Sequence, residues 1–401
     1  MIHFGIDRLI HDESLRNKLK GLRLGLLAHP ASVTADLTHS LDAIQKTSGL
    51  HLTCAFGPQH GMRGEKQYNM VESENYLDPI HQIPVFSLYG KTRKPTAEML
   101  AHCDVVLVDL QDLGCRIYTY LTSLFYMMEA CAKLGKVVWV LDRPNPAGRT
   151  MEGSILRPGN ESFVGVAPIL MRHGMTLGEM AHYFKREFKM NLELEVVEMK
   201  NYLISEAPGF GWPLEKRAWV NPSPNAPTLS MARAYAGTVM IEGTNLSEGR
   251  GTTRPLESFG APDIDGGAVL KEMQKLAPEW LKGCGLRPFY FEPTFYKHKE
   301  KLCSGIQIHV DFEGYQPHEF KPYRVVALGF KAIRNLYADY DLWRSFAYEY
   351  EFDRLAIDVI TGCETLRLWV DDPKAKVADF EHFLAVDEKK WKDQVSDALI
   401  Y

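Results

Sequence analysis

Short apolar runs alternate with amphipathic stretches throughout the first half of the chain. Each run is rich in valine and leucine with little polar interruption, which is typical of strands buried on both faces. The runs that predict strands are residues 23–29, 51–57, 84–90, 104–110 and 136–142. Between them, residues 37–49 and 120–135 carry apolar side chains at helical spacing and end in glycine, as many helices do. The alternation predicts an α/β fold built on a parallel sheet.

The second half of the chain carries its own apolar segments, with fewer polar residues between them. These segments are residues 268–280, 286–295, 304–312 and 322–337, followed by an aromatic run at 340–352. They predict a second α/β region that walls a cleft. The expected division is a first domain at residues 1–235 and a C-terminal α/β domain at residues 236–401.

Six polar islands interrupt the apolar segments and concentrate glycine, proline, hydroxyl and charged residues. They are residues 55–65, 108–121, 141–153, 172–176, 219–228 and 242–255. Three of them follow predicted strands, namely those at 51–57, 104–110 and 136–142. Because ligands bind beyond the carboxyl ends of the strands in an open parallel sheet, we expect these three islands to meet at one site.

The last island, EGTNLSEGRGTTRP at residues 242–255, is the richest in chemistry. It carries two carboxylates, two arginines, four hydroxyl side chains, an amide and three glycines. Arginine forks suit a carboxylate or phosphate ligand, and glutamates can transfer a proton. The apolar run before it, residues 234–241, predicts a strand that leads into this island. A binding loop is favoured here over a plain solvated connection.

Composition excludes some functional classes. A net charge of −5 without a basic stripe disfavours a nucleic-acid partner. Neither a GxGxxG nor a GxxxxGK[ST] motif follows a predicted strand, so no nucleotide cofactor is expected, and a nucleotide-dependent enzyme has only the fold class in its favour. The seven cysteines are scattered without metal-ligand spacing, which predicts reduced thiols and no metal site.

The N-terminal segment predicts where the protein is found. Charges at Asp7, Arg8, Asp12 and Glu13 interrupt the region where a signal peptide would need to be apolar. No window of about 18 apolar residues exists, so no membrane span is expected. We expect a cytoplasmic protein, or a periplasmic or secreted one if a leader has been removed.

In order and spacing, the islands resemble the motifs of the exo-β-N-acetylmuramidases of the NamZ type: FGPQHGMRGE, VDLQDLGCRIYTYL, LDRPNPAGRTMEG, HGMTLGE, WVNPSPNAPT and EGTNLSEGRGTTRPLESFGAP. This is glycoside hydrolase family 171, formerly a domain of unknown function. The resemblance runs from GIDRL at Gly5 to SGIQIHV at residues 304–310. It implies a Rossmann-like parallel-sheet domain, a second, smaller α/β domain and an active site in the cleft between them.

The same resemblance implies a substrate and a reaction. The enzymes of this family release N-acetylmuramic acid from the non-reducing end of peptidoglycan fragments, so the expected partners are muropeptides or glycan fragments, in cell-wall recycling. Neither a metal nor a nucleotide is implied. Muramic acid offers a lactyl carboxylate that suits arginine, an N-acetyl group that suits amide or hydroxyl partners, and hydroxyls that suit Asp and Asn.

One position departs from the family pattern. The first motif of the family usually reads Pro-Glu-His-Gly, and its glutamate is the natural candidate for a catalytic carboxylate, whereas this chain has Pro58-Gln59-His60-Gly61. A glutamine cannot donate or accept a proton in the required way. Either another carboxylate acts in its place, or the chain is a non-catalytic muropeptide-binding protein.

The motifs supply the candidate site residues. The catalytic candidates are Glu242, Glu248, Gln59, His60 and Asp112. Glu242 and Glu248 are the first choice for the acid, because they bracket Asn245 and Ser247, which can hold the N-acetyl group. The predicted substrate-binding residues are Arg63, Glu65, Asp109, Arg116, Tyr118, Asp142, Arg143, Asn145, His173, Asn221, Ser223, Asn225, Asn245, Ser247 and Arg250.

Several of these residues have a second interpretation. Arg63 or Arg250 is expected to bind the lactyl carboxylate, although Arg63 can equally pair with Glu65 at the surface. Asp109 and Asp112 follow an apolar strand, where a carboxylate is either a catalytic acid or a helix cap. His60 is an acid/base group or a simple hydrogen-bond donor, and His173 is most simply a structural loop histidine.

Overall fold

The computed structural model describes residues 2–64, 66, 71–207 and 209–401. Glu65, one of the predicted substrate-binding residues, lies outside the described residues. In chain order the strands are β1 (Arg23–Ala28), β2 (His51–Gly57), β3 (Tyr76–Leu77), β4 (Pro84–Ser87), β5 (Val105–Asp109), β6 (Val137–Leu141), β7 (Glu152–Ile155), β8 (Leu170–Arg172), β9 (Leu194–Val197), β10 (Ser258–Ala261), β11 (Gly285–Phe291) and β12 (Cys303–His309).

The helices complete the element order. They are α1 (Gly5–His11), α2 (Glu13–Leu19), α3 (Ser40–Lys46), α4 (Ala97–Leu100), α5 (Tyr120–Leu134), α6 (Leu177–Glu187), α7 (Leu229–Thr238), α8 (Gly266–Leu276), α9 (Pro322–Leu336), α10 (Ala356–Thr361), α11 (Thr365–Asp371) and α12 (Val377–Val395). Short 3-10 helices cover Val239–Gly243, Pro278–Leu281 and Ser396–Ala398.

Seven strands of the first half form one sheet in the order β3-β4-β2-β1-β5-β6-β9, and β7 and β8 form a separate antiparallel pair. Neighbouring strands run parallel, except that β3 pairs antiparallel with β4. Every strand predicted from the apolar runs of the first half lies in this sheet, so the predicted parallel sheet is confirmed. Because β2, β5 and β6 are parallel, the three islands that follow them begin at the same edge.

Hydrophobic clusters cover both faces of this sheet. Along β5, Val106 and Val108 belong to one buried cluster, and the alternating Val105 and Leu107 belong to another. Helices α5 and α6 contribute to the first cluster, and α1 and α3 contribute to the second. Since side chains of a strand point alternately to opposite faces, the four consecutive apolar residues from Val105 to Val108 in β5 are what a sheet covered on both sides requires.

The second half has its own antiparallel sheet, in the order β10-β12-β11. Phe259 of β10 and Phe330 of α9 belong to the same buried cluster as Met128 of α5. The second α/β region predicted from the apolar segments is therefore present, and it shares a continuous core with the first half. Because the core is shared and closely packed, the two regions are held in a fixed position relative to each other.

The strand predicted at residues 234–241 is wrong. This segment is the end of α7 and the following 3-10 helix, Val239–Gly243. Thr228 begins α7 by accepting a hydrogen bond from the Met231 amide at 3.1 Å, and a Cβ at Gly237 would lie 2.0 Å from the carbonyl oxygen of Pro322. The helix is buried on all sides, so its apolar residues show no helical periodicity. A sequence of this kind cannot be distinguished from a buried strand by its pattern.

Candidate active site

A cavity opens beyond the carboxyl ends of β2 and β5, and we call it the pocket. Its lining residues are Gln59, His60, Ile117, Tyr118, Thr119, Val164, Ser223, Asn225, Met231, Tyr235, Glu242, Arg250, Leu256, Tyr348 and Glu349. Both halves of the chain contribute to this lining.

Glu242 is a pocket carboxylate that the sequence predicted. It lies in the 3-10 helix that follows α7 and is buried. Its Oε1 forms an ion pair with Nη2 of Arg250, and its Oε2 accepts a hydrogen bond of 2.8 Å from the Tyr348 hydroxyl. A charged carboxylate held in this way, away from bulk water, can stabilise positive charge that develops on a ligand.

Glu349 is a second pocket carboxylate, and sequence reasoning missed it. The Tyr89 hydroxyl donates to its Oε2 at 2.8 Å, and Nε2 of Gln59 donates to its Oε1 at 3.4 Å. Burial raises the pKa of Glu349 despite the Tyr89 hydrogen bond, and the charge of Glu242 raises it further. A carboxyl group with a raised pKa holds a proton that it can give to a ligand.

Gln59 connects the two halves of the site. The Thr119 hydroxyl donates to its Oε1 at 2.8 Å, which leaves its amide nitrogen to face Glu349. Gln59 itself is 6% exposed and lies two residues beyond the end of β2. The glutamine that replaces the usual family glutamate is thus in contact with a carboxylate from a distant part of the chain.

Three non-glycine residues at or next to the pocket have left-handed backbone. His60 has φ 72°, Glu349 has φ 46° and Tyr350 has φ 69°. Each such residue costs on the order of 1–3 kcal/mol, and strain of this kind is common where a structure positions functional side chains. The turn at Glu349 is closed by hydrogen bonds between the backbones of Tyr348 and Glu351, at 3.3 and 3.0 Å.

His60 is a neutral group at ordinary pH. Burial lowers the pKa of His60 to about 4, against the opposing effect of the Lys66 carbonyl, which lies 2.9 Å from Nδ1. A histidine with so low a pKa serves as a hydrogen-bonding group rather than as a charged acid near neutral pH.

Glu248 does not line the pocket in the described structure. It is fully buried, with Oε1 3.0 Å from Nε of Arg250 and Oε2 3.0 Å from Nζ of Lys297. Burial acts to raise the pKa of Glu248, but the charges of Lys297 and Arg250 outweigh burial and lower it. A carboxylate in this state cannot donate a proton near neutral pH, so we revise the expectation that Glu248 is the acid. It braces Arg250 instead.

The pocket brings together a subset of the predicted residues: Gln59, His60, Tyr118, Ser223, Asn225, Glu242 and Arg250. The Tyr118 side chain is buried on this lining, next to Ser223 and Tyr120. Thr119, Tyr235, Tyr348 and Glu349 also line the pocket and were not predicted. Thr119 lies inside a recognised motif next to Tyr118, so its hydroxyl could have been included.

Asp109 and Arg143 are brought together away from the pocket. Nε and Nη2 of Arg143 donate to the two carboxylate oxygens of Asp109 at 2.5 and 2.9 Å, and the Ser40 hydroxyl also donates to Asp109. Both side chains are buried. Their predicted contact with a substrate is therefore revised: the pair ties the end of β5 to the island after β6.

Asp112, His173 and Asn145 form internal contacts in the same region. Oδ2 of Asp112 lies 3.2 Å from Nε2 of His173. Asn145 accepts from the Ala147 amide at 2.9 Å and donates to the Met175 carbonyl at 3.1 Å. None of the three lines the pocket among the described residues. Their side chains order the loops behind the site, as expected for a structural loop histidine.

Asp142 and Arg116 are likewise buried and make hydrogen bonds within the protein. Asp142 accepts from the Thr176 hydroxyl at 2.7 Å, the Gly178 amide at 2.8 Å and the Tyr401 hydroxyl at 3.0 Å. Burial raises the pKa of Asp142 to about 7. Arg116 donates to three backbone carbonyls at 2.7–3.0 Å. The structure thus assigns both residues to the framework, which corrects the expectation of substrate contact.

The remaining candidates lie outside the pocket lining. Arg63 pairs with Asp42 at 3.1 Å and with Asp78 at 3.5 Å. Asn221 is exposed. The Asn245 amide donates to the carbonyl and carboxylate of Asp341 at 2.8 and 3.1 Å. None of these contacts is with a residue of the pocket lining, and substrate contact by Arg63, Asn221 and Asn245 stays a prediction.

Ser247 is also part of the framework. Its backbone pairs with Gly260 in an isolated bridge, and its hydroxyl accepts from the Gly249 amide at 3.2 Å. This contact shapes the turn that leads to Arg250. We revise the prediction that Ser247 holds an N-acetyl group.

Other structural features bear on the function classes. Within the described residues, no group of three or more His, Cys, Asp or Glu side chains is arranged to hold a metal ion. No helix in the described part of the chain has the length and apolar character needed to cross a membrane. The cysteines are free thiols, and all but Cys284 are buried.

The chain matches two family models along almost its whole length. The N-terminal model of the exo-β-N-acetylmuramidase NamZ matches residues 24–230, and the C-terminal model of the same family matches residues 233–401. A curated relative, the peptidoglycan β-N-acetylmuramidase NamZ of Bacillus subtilis (strain 168), is 40% identical over 356 residues, which cover 88% of this chain and 82% of the relative.

Solved structures agree on the fold. A DUF1343 family protein of Bacteroides fragilis NCTC 9343 superposes with a TM-score of 0.85 at 28% identity, covering 100% of this chain and 99% of that chain. A second DUF1343 family protein of the same organism gives a TM-score of 0.76 at 24% identity with the same coverage, and bears on the fold alone.

Proposed function

The chain belongs to the NamZ family of exo-β-N-acetylmuramidases, and from that premise we propose that it releases N-acetylmuramic acid from the non-reducing end of peptidoglycan fragments. The observation that carries the proposal is a pocket with two buried carboxylates in contrasting surroundings. Glu242 is paired with Arg250, whereas the pKa of Glu349 is raised by burial. Glycosidases commonly use two carboxylates in different protonation states.

The contrast assigns a role to each carboxylate. Glu349 holds a proton and gives it to the glycosidic oxygen as the bond to the muramic acid ring breaks. Glu242, paired with Arg250, stabilises the positive charge that develops on the ring. A water molecule adds its oxygen to the anomeric carbon and gives a proton to the Glu349 carboxylate, which restores the acid. Both groups lie on the lining of one cavity, which is the geometric requirement for acting on one bond.

Gln59 then acts as a positioning residue. Its amide donates to Glu349 and its carbonyl oxygen is held by Thr119. In this arrangement, Glu349 supplies the carboxylate that the family motif usually supplies at the position of Gln59. The proposal thus accounts for a glutamine at this position in an active hydrolase.

Arg250 is the one guanidinium among the described residues that line the pocket. It is braced by Glu242 and Glu248, which hold its plane in a fixed orientation. We assign the lactyl carboxylate of muramic acid to this side chain, since a rigid guanidinium binds a carboxylate with defined geometry.

The direct test measures release of N-acetylmuramic acid from a disaccharide, with N-acetylmuramic acid at the non-reducing end, and from an aryl muramide. Glu349→Gln should lower kcat on the disaccharide by about a hundredfold or more. The loss on the aryl muramide should be smaller, because a phenolate leaves without help from an acid. The control is Glu351→Gln, which removes a carboxylate that pairs with Arg354 and does not line the pocket.

The outcomes separate the proposal from its rival. Full activity of Glu349→Gln on the disaccharide would remove Glu349 as the acid. A wild-type protein that binds muramic acid fragments by calorimetry without turnover, and that gains activity in Gln59→Glu, would identify a non-catalytic muropeptide-binding protein. The presence of Gln59 is the observation that favours that second candidate.

A further inference from the structure

A wide groove continues from the pocket along the outside of the second half. Its volume is about 1,090 Å³, and Asn225 and Arg250 line both the groove and the pocket. The groove is lined by Pro224, Asn225, Pro227, Arg250, Gly251, Thr252, Thr253, Pro255, Phe289, Tyr290, Phe291, Glu292, Thr294, Phe295 and Tyr296. A ligand held in the pocket can therefore extend into the groove past these two shared residues.

Aromatic rings dominate one wall of the groove. Phe289 and Phe291 stack with ring centroids 5.4 Å apart, and the Tyr290 side chain between them in β11 is 67% exposed. Phe295, in the following loop, is 37% exposed. Exposed aromatic side chains clustered beside a cavity mark a binding surface, since a folded protein gains stability by covering them.

The groove lining also includes side chains with hydroxyl and amide groups, from Thr252, Thr253 and Asn225. A lining with both aromatic rings and polar groups suits a sugar ring, which has an apolar face and polar edges. A bound peptide strand would instead need backbone partners. Proline residues within β11 and in the groove lining, including Pro288 and Pro255, remove backbone donors and disfavour strand pairing.

The groove is joined to the catalytic pocket by rigid contacts. The Thr294 amide and hydroxyl donate to the Gly251 carbonyl at 3.0 and 2.9 Å. Lys297 donates to three carbonyls of the segment between residues 241 and 246 at 2.8–2.9 Å. The aromatic wall is thereby tied to the segments that carry Glu242 and Arg250, so that it is organised before a ligand arrives.

We propose that this groove binds the leaving-group side of the substrate, namely the glycan residues that follow the cleaved bond, by stacking on Tyr290 and Phe295. The inference rests on the proposed function, because it takes the pocket to hold the terminal muramic acid. It assigns the groove to carbohydrate and not to the stem peptide of a muropeptide.

The experiment compares two substrates in two variants. Tyr290→Ala and Phe295→Ala should each lower kcat/KM for the bare disaccharide or tetrasaccharide by about tenfold, as for the loss of one aromatic contact. Both should leave kcat/KM for an aryl muramide unchanged, because that substrate has no sugar to place in the groove. Phe312→Ala is the matched control, since Phe312 is 50% exposed and lies outside the groove.

Each other outcome overturns the groove assignment. Equal activity of the variants and the wild type on bare glycans would show that the rings do not bind sugar. A loss confined to peptide-bearing fragments would assign the groove to the stem peptide. If the wild-type protein turns over neither substrate, the proposed function is wrong, but the groove assignment is still open to test. Calorimetry then compares the affinity of the variants and the wild type for the tetrasaccharide, and each variant should bind about tenfold more weakly.

Discussion

The pocket and the buried polar network behind it are alike in composition and opposite in role. We define the network as Asp109, Arg143, Asp142, Asp112 and His173, which lie near the ends of β5, β6 and β8. Both clusters are buried, carry opposite charges and come from polar islands at one edge of the sheet. Polar residues at the ligand edge of a sheet are therefore not enough to identify a site.

The difference lies in what each polar atom faces. In the network, both carboxylate oxygens of Asp109 are occupied by Arg143 and Ser40. In the pocket, the side chains of Glu349 and Tyr118 border a cavity. A group enclosed by protein partners stabilises the fold, whereas a polar group beside a cavity can contact a ligand. Mutations in the network should therefore change the free energy of unfolding, whereas mutations in the pocket should change binding or activity.

The largest effect is expected from Asp109→Asn in the network. The substitution keeps the volume but leaves the buried Arg143 guanidinium without its charged partner. The free energy of unfolding should fall by about 3–5 kcal/mol, measured by denaturant titration. The control is Asp104→Asn, which breaks a partly exposed pair with Arg23 and should cost no more than about 1 kcal/mol. Equal costs for the two variants would contradict the comparison.

Asp142 should make the stability of the network depend on pH. Its pKa is raised to about 7 by burial, so between about pH 4 and 7 the folded protein holds a proton that the unfolded chain has lost. Relative to Asp142→Asn, the wild type should lose stability as pH rises through this window, by on the order of 3 kcal/mol. Unfolding at about pH 5 and about pH 8 measures this difference. A constant difference between the proteins would refute it.

Within the pocket, Arg250→Lys should weaken binding of N-acetylmuramic acid by about tenfold and leave N-acetylglucosamine nearly unaffected. Lysine keeps the charge between Glu242 and Glu248 but loses the planar fork. The matched control is Arg63→Lys, because Arg63 pairs with Asp42 outside the pocket. Calorimetry with both sugars is the measurement. Equal losses for the two sugars would remove the lactyl assignment from Arg250.

The smallest effect is expected from Thr119→Val, which removes the hydrogen bond to Gln59 without changing the shape of the side chain. Loss of one hydrogen bond of about 1 kcal/mol should lower kcat a few-fold, with stability almost unchanged. Thr122→Val is the control, since the Thr122 hydroxyl is buried in α5 without a described partner. If the two variants have the same kcat, Thr119 does not position Gln59.

Some of this molecule was determined by local sequence alone. Apolar runs in the first half specified the strands of the parallel sheet, because a strand buried on both faces must be apolar at every position. The position of two islands after predicted strands placed Gln59 and Tyr118 in segments that reach one edge. The NamZ motifs were recognisable for the same reason, since each is a short contiguous stretch.

Tertiary structure alone decided the rest. Whether residues 234–241 became a helix depended on their burial between two regions, which hides helical periodicity. Whether a polar side chain faces the pocket or an internal partner depends on residues far away in the sequence. Arg143 donates a hydrogen bond to Asp109, and Gln59 donates one to Glu349. Local pattern encodes how buried a residue is, but only the packed chain determines which distant group it meets.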